Sequence, residues 1–256
     1  MKKWICGILA ALLCVGTVAG AAEAKREDSQ AADAWAVYQM AWRYAIREIE
    51  ASGKDITNAR ITRLEPVALC QDEVSVYALE YAYQQAGAPA EAPGGTGQGS
   101  PYLFVAGEGE DPRLLGVRYT REVFLGGGYE AMAAELLAAG ETVELAKQST
   151  ASDSFDETEI DGAIQAVRTA WADQFDVIDL WFDETVYQSE LPSYQSNTLY
   201  GMDAAAARGD LIILRANVYQ PVSDLDPREG QLYRNWTVVL TRESGDGAWR
   251  IVNYGY

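Results

Sequence analysis

Between residues 34 and 49 the apolar side chains Ala34, Val37, Tyr38, Ala41, Trp42, Ala45 and Ile49 recur at intervals of three and four. That period places them on one helical stripe. The pattern predicts a helix from near Asp33, ended by Ser52-Gly53. The period then shortens. Asn58–Leu69 and Glu73–Tyr83 read as strands, the second alternating imperfectly, as a mostly buried strand does. Gly87–Ser100 holds Pro89, Pro93 and a glycine cluster, and reads as a loop. Strands are expected at Tyr102–Ala106 and Leu114–Thr120, with Asp111-Pro112 in their turn, then a short helix at Tyr129–Leu137 before Gly140.

Residues 141–153 are polar, rich in Ser and Thr, and read as a linker. Asp156 followed by Glu159 has the spacing of a capping box, because each side chain can satisfy the other's orphan backbone N–H. Ile160, Ala163, Ile164, Val167, Trp171 and Phe175 form the apolar face of the helix that follows. A strand is expected at Val177–Val186, and short helix and turn over Pro192–Ala207. Three more strands follow at Leu211–Tyr219, Leu232–Thr241 and Ala248–Tyr254. The last two are joined by Ser244-Gly245-Asp246-Gly247. Each half therefore predicts a helix packed on an antiparallel sheet. The fold class is α+β with two small domains, at residues 25–140 and 154–256. The self-contained strand set of the second half predicts that residues 150–256 fold alone.

The first residues alter the picture of compartment. Met1-Lys2-Lys3, an apolar run from Trp4 to Gly20 and the small-x-small exits Ala19-Gly20-Ala21 and Ala22-Glu23-Ala24 have the three parts of a secretion signal at residues 1–24. No later segment is long and apolar enough to span a bilayer. Losing the leader with Lys2, Lys3 and Glu23 moves the net charge from −18 to −19. Nucleic acids and anionic lipid headgroups need basic patches, so the charge excludes both as partners. Cys6 and Cys14 leave with the signal. Cys70 remains in Val67-Ala68-Leu69-Cys70, a small core residue with no disulfide partner. The chain has no histidine. Ser-His-Asp and Cys-His catalysis, most zinc sites and haem ligation by histidine are thereby excluded. No cofactor is expected.

Candidate chemistry is sparse. Gly95-Thr96-Gly97-Gln98-Gly99 lacks the strand, helix and Lys-Ser/Thr context of a phosphate loop. Asp224-x-Asp226-x-x-Glu229 has too few oxygen ligands for an EF-hand loop and is interrupted by Pro227. Asn235-Trp236-Thr237 matches a glycosylation sequon inside a predicted strand. Asp183-Glu184, at the end of the Leu180-Trp181-Phe182 strand, offers two carboxylates beside aromatics, the raw material of a general base. Successive strand residues face opposite ways, however, so the two do not share one substrate atom. The aromatics of the last strands, with Arg215 and Tyr219, supply candidate pocket residues: Arg215, Tyr219, Tyr233 and Trp236.

The C-terminal half also carries a resemblance. Glu159-Ile160-x-x-Ala163-Ile164 is followed by Leu180-Trp181-Phe182-Asp183-Glu184 and by an apolar strand at Leu211–Tyr219. Then come Tyr233-Arg234-Asn235-Trp236, Arg242, a Gly/Asp turn, Trp249-Arg250-Ile251 and Gly255-Tyr256. Over residues 154–256 this order resembles an uncharacterised extracytoplasmic domain of Gram-positive anaerobes. That domain is also found at the C-terminus of membrane metallopeptidases similar to beta-lactam sensors. The resemblance implies a cystatin-like fold of the nuclear-transport-factor-2-like superfamily. No metallopeptidase motif is present, so it implies a recognition domain without protease activity. Three functions stay open: an exported non-enzymatic protein binding a small molecule, peptide or envelope partner; a small lyase or isomerase with Asp183 or Glu184 as base and Arg215, Tyr219 or Tyr233 beside it; and a structural spacer.

Overall fold

The computed structural model of the chain describes residues 29–70, 74–86, 95–96, 101–107, 112–221, 230–245 and 247–255. The leader at 1–24, most of the glycine-rich segment, Asp111, the acidic turn of Asp224, Asp226 and Glu229, Asp246 and Tyr256 lie outside the described residues.

Helix α1 (Ser29–Ala51) turns its apolar stripe onto an antiparallel sheet. The sheet is built from β1 (Ile56–Cys70), β2 (Val74–Gln85), β3 (Gly95–Thr96), β4 (Pro101–Ala106) and β5 (Arg113–Tyr119). The strand order is β1-β2-β4-β5, with β3 pairing only with β2. Leu103 and Val105 join the cluster beneath α1. Their neighbours Phe104 and Ala106 point the other way, onto Met132 and Leu136 of α3 (Tyr129–Ala139). Burial on both faces is why β4 reads as a continuous apolar run. A six-residue helix, α2 (Thr120–Leu125), bridges β5 and α3. It starts where the Tyr119 N–H donates to Glu122 Oε2 at 2.7 Å, a cap inside what the sequence predicts as the end of a strand.

Residues 141–156 contain no helix or strand. The second sheet is β6 (Asp176–Phe182), β7 (Leu211–Gln220), β8 (Gln231–Thr241) and β9 (Arg250–Gly255), antiparallel in that order. Helix α4 (Glu157–Trp171) opens with the predicted capping box. Asp156 Oδ1 accepts the Glu159 N–H at 2.8 Å, and Glu159 Oε2 accepts the Asp156 N–H at 3.0 Å. Two further helices, α5 (Glu184–Gln195) and α6 (Met202–Arg208), complete the layers. The α+β fold class expected from the sequence holds. The strand expected to run to Val186 ends instead at Phe182. Asp183 turns the chain there by accepting the Val186 N–H at 3.1 Å as the N-cap of α5.

Cross-strand partners share a face. Ala216 pairs with Trp236 and Val218 with Tyr233, on the side covered by Trp171 of α4. Arg215 pairs with Thr237 and Tyr219 with Leu232, on the opposite side. That opposite side has two covers. Helix α5 places Glu190 against Arg215. Helix α1, from the first half of the chain, covers Tyr219, Ile178 and Leu232, which lie in the same buried cluster as Trp42, Ile46 and Ile49. The Trp42 and Tyr219 ring centroids are 4.9 Å apart.

Helix α1 also closes the free edge of β6. Gln39 Nε2 donates to the Val177 carbonyl at 2.9 Å, and Arg43 Nη2 donates to that of Ile178 at 3.1 Å. Farther along, the Thr150 N–H donates to the Phe182 carbonyl at 2.9 Å, and Ser149 Oγ accepts the Phe182 N–H at 3.0 Å. An unpaired strand edge invites foreign strands, and this one is covered from both ends. The long edge of β1 is blunted differently, by three register shifts, Pro66 and the exposed charges of Arg60 and Arg63.

Candidate functional site

The six residues singled out from sequence do not converge. Asp183 is spent as a helix cap. Glu184 accepts a hydrogen bond from Ser152 Oγ at 2.7 Å and from Gln188 Nε2 at 2.6 Å, and its own N–H donates to Thr150 Oγ1 at 2.8 Å. Both carboxylates therefore fasten α5 and the connector to the end of β6. Tyr219 is buried against α1. Tyr233 and Trp236 stack on the other face, with centroids 4.3 Å apart and planes 13° from parallel. Trp171, Phe175 and Tyr254 pack around that pair at 5.3–6.1 Å of Trp236. Tyr233, Trp236, Trp171 and Phe175 are core, while Tyr254 is half exposed.

Arg215 alone of the four pocket candidates adjoins an opening. Its Nη1 donates to the Asn235 carbonyl at 2.9 Å and to Thr237 Oγ1, and its Nη2 pairs with Glu190 Oε1. A groove of about 300 Å³ lies beside it, between Glu190, Ser193 and Tyr194 of α5 and Thr237, Asn253 and Tyr254 of the sheet. With Glu190 and two backbone or hydroxyl oxygens already on Arg215, this groove offers a ligand little unspent charge.

The larger opening, about 390 Å³, straddles the outer edge of β5. On one side α1 presents Tyr44, Arg47 and Glu48, at the i, i+3, i+4 spacing that puts three side chains on one helical face. On the other stand Arg118 of β5 and Leu136 of α3. The connector residues Glu141, Val143 and Leu145 form the third wall. One hydrogen bond, from the Val143 N–H to the Leu114 carbonyl at 2.8 Å, holds the connector against the strand. The Tyr44 and Tyr119 hydroxyls meet across the groove at 2.8 Å. Burial first, and then the bond to Tyr119, push the Tyr44 hydroxyl well above its ordinary pKa. It is therefore a neutral hydrogen-bonding group, not a base. Burial likewise pushes the neighbouring Tyr81 up to about 12. The sequence reading passed over these residues. The signal was there in Tyr44-x-x-Arg47-Glu48, which interrupts the apolar stripe of α1 with charge on one face.

Among the described residues no group of three or more His, Cys, Asp or Glu side chains is placed to hold a metal ion, and no helix is long and apolar enough to cross a membrane. Cys70 is buried, and that burial raises its thiol pKa. Comparison with family models, with curated proteins and with solved structures finds no match.

Proposed function

We propose that the chain is an exported, non-enzymatic binding protein of the cell envelope or secreted fraction, with its ligand site in the groove at the edge of β5. One observation carries this reading: a cavity of small-molecule size brings together apolar walls, hydroxyls and charges of both signs from three separate segments of the chain. The candidate base of an enzyme, Asp183 or Glu184, is engaged in capping and in tethering the connector, which favours binding over catalysis. The export reading rests on the leader pattern of residues 1–24. Helix α4 on the antiparallel sheet β6-β7-β8-β9, with α5 and α6 inserted between β6 and β7, supports a cystatin-like description of the C-terminal half.

The test is a thermal-shift screen of the purified chain against small metabolites, peptides and envelope fragments. A ligand raising the melting temperature is expected, and Arg118→Gln is expected to abolish the shift. A panel without any stabilising compound would leave a spacer as the better account. Intact mass of the secreted protein is expected to start at Lys25, or at Ala22 if the upstream exit is used. A mass that includes the apolar run would contradict removal of the leader.

A further inference from the structure

We infer that the ligand of the β5 groove is a zwitterionic small molecule of the free amino-acid class with an apolar side chain. This rests on the binding function proposed above and narrows it. The first step is to ask what an occupant can bond to. A groove at a strand edge suggests an added peptide strand, held by main-chain hydrogen bonds. Here three groups of the edge are already engaged. The Leu114 carbonyl takes the Val143 N–H, the Val117 carbonyl takes Arg118 Nη1 at 3.0 Å, and the Tyr119 N–H goes to Glu122. Recognition therefore falls to side chains.

Those side chains keep hydrogen-bonding capacity to spare. Among the described residues, Arg47 and Glu48 form no side-chain hydrogen bond or ion pair, and the nearest carboxylate oxygen to Arg118 is that of Glu135, at 4.0 Å. Among the described residues, several other guanidinium groups are matched at 3.1 Å or less, as Arg43, Arg208 and Arg242 are with Asp179 and Asp210. The Tyr44–Tyr119 pair uses one of its two hydroxyl hydrogens for the bond between them, which leaves the other as a donor at the groove. Guanidinium and hydroxyl donors suit a carboxylate. Glu48 and Glu141 suit an ammonium group. Leu115, Leu136 and Leu145 suit an apolar side chain. A simple anion would meet the two glutamates, and a simple cation the two arginines. A ligand carrying both charges meets neither penalty.

The experiment is isothermal titration of the protein with four probes: L-phenylalanine, N-acetyl-phenylalanine, phenylalanine amide and the doubly capped N-acetyl-phenylalanine amide. Binding of phenylalanine is expected, weakened about ten-fold or more by either single cap, since each removes a charge-assisted hydrogen bond. Arg47→Gln is expected to weaken phenylalanine and leave the amide unchanged. Arg47 is exposed and has no partner among the described residues, so the unliganded melting temperature of this variant should match that of the parent. Equal binding of phenylalanine and its doubly capped form would overturn the zwitterion and leave the groove a small-molecule site. No binding of any probe would overturn the inference too, and the broader function would then stand or fall on the thermal-shift screen alone.

Discussion

Replacing Arg43 by methionine removes one charge from a contact that joins the two halves of the chain. Arg43 Nε lies 2.8 Å from Asp179 Oδ1, and Asp179 is 3% exposed. Its other oxygen accepts Asn217 Nδ2 at 3.2 Å. Asn217, itself fully buried, uses its Oδ1 to accept the Asn235 N–H at 3.0 Å. Without the guanidinium, a buried carboxylate would keep a single neutral hydrogen bond. Breaking such a pair from one side costs roughly 3–5 kcal/mol. Two features push the cost to the lower end. Arg43 is 20% exposed, so water can reach the vacated site. Arg168 of α4 is also close enough to feel both Arg43 and Asp179, although burial is what chiefly depresses its pKa. About 3 kcal/mol is expected, a large fraction of the stability of an ordinary domain. The assay is urea unfolding followed by tryptophan fluorescence. A second variant, Arg43→Met with Asp179→Leu, should recover much of the loss, because it leaves no charge stranded. A single-variant cost below about 1 kcal/mol is the range of a surface pair. That result would mean Asp179 is solvated, and the argument for a buried joint would fail.

Further outcomes are open to measurement. The fragment 150–256 would expose Ile178, Tyr219 and Leu232, each worth roughly 1.5–3 kcal/mol when buried; it should melt far below the intact chain, and equal melting temperatures would show that the shared cluster contributes little. Trp236→Ala should cost roughly 3–5 kcal/mol in urea unfolding, and a cost under 1 kcal/mol would place Trp236 outside the core. Asn235 has φ 53°, so Asn235→Val should destabilise by about 1–2 kcal/mol while Asn235→Gly is nearly neutral, and the reverse order would contradict the left-handed backbone. The Asp210 carboxyl is held below its ordinary pKa by the bond from Arg208 and next by that from Arg242. Its contribution is therefore complete above the unfolded carboxyl pKa and is lost as pH falls through the depressed folded value. Asp210→Asn should cost stability at pH 7, and the gap should narrow below about pH 4; a gap that widens on acidification would refute the assignment.

Much of the chain was legible one element at a time. The stripe of α1, the Asp156–Glu159 box of α4 and the apolar runs of β4, β7 and β8 are local signals, and each was read to within a few residues. The same kind of local signal was misread at Asp183. The apolar run into Val186 favoured a strand, while Asp followed by Glu is also a helix start, and the cap prevailed. What no local pattern carries is the partner of each face. Arg43 meets Asp179 from 136 residues away, and Trp42 meets Tyr219 from farther still. The β5 groove is built the same way. Tyr44 and Tyr119 are 75 residues apart, and only the folded sheet brings their hydroxyls together.

The four pocket candidates failed to converge for a reason set at one column of the second sheet. Tyr233 and Trp236 are three apart, so in a regular strand they would face opposite ways. They face the same way because β8 inserts an extra residue at Arg234-Asn235, opposite Asn217, and β6 inserts Ile178 opposite the same point. With two strands bulged around one residue of the third, the ladder around Asn217 is interrupted, and buried backbone groups there need other partners. The Asn217 side chain supplies one to the Asn235 N–H, and Arg43 supplies another to the Ile178 carbonyl. The bulge column is thus the place where the second sheet most needs outside donors, and it is where α1 docks. Polar satisfaction of the bulge and the joining of the two halves are one arrangement. It follows that Asn217→Leu, which keeps the size and removes the amide, should weaken the grip of α1 as well as the sheet. Hydrogen exchange at the backbone amides of α1 would then quicken in that variant. Unchanged exchange there, with loss confined to β6–β8, would separate the two roles and break this account.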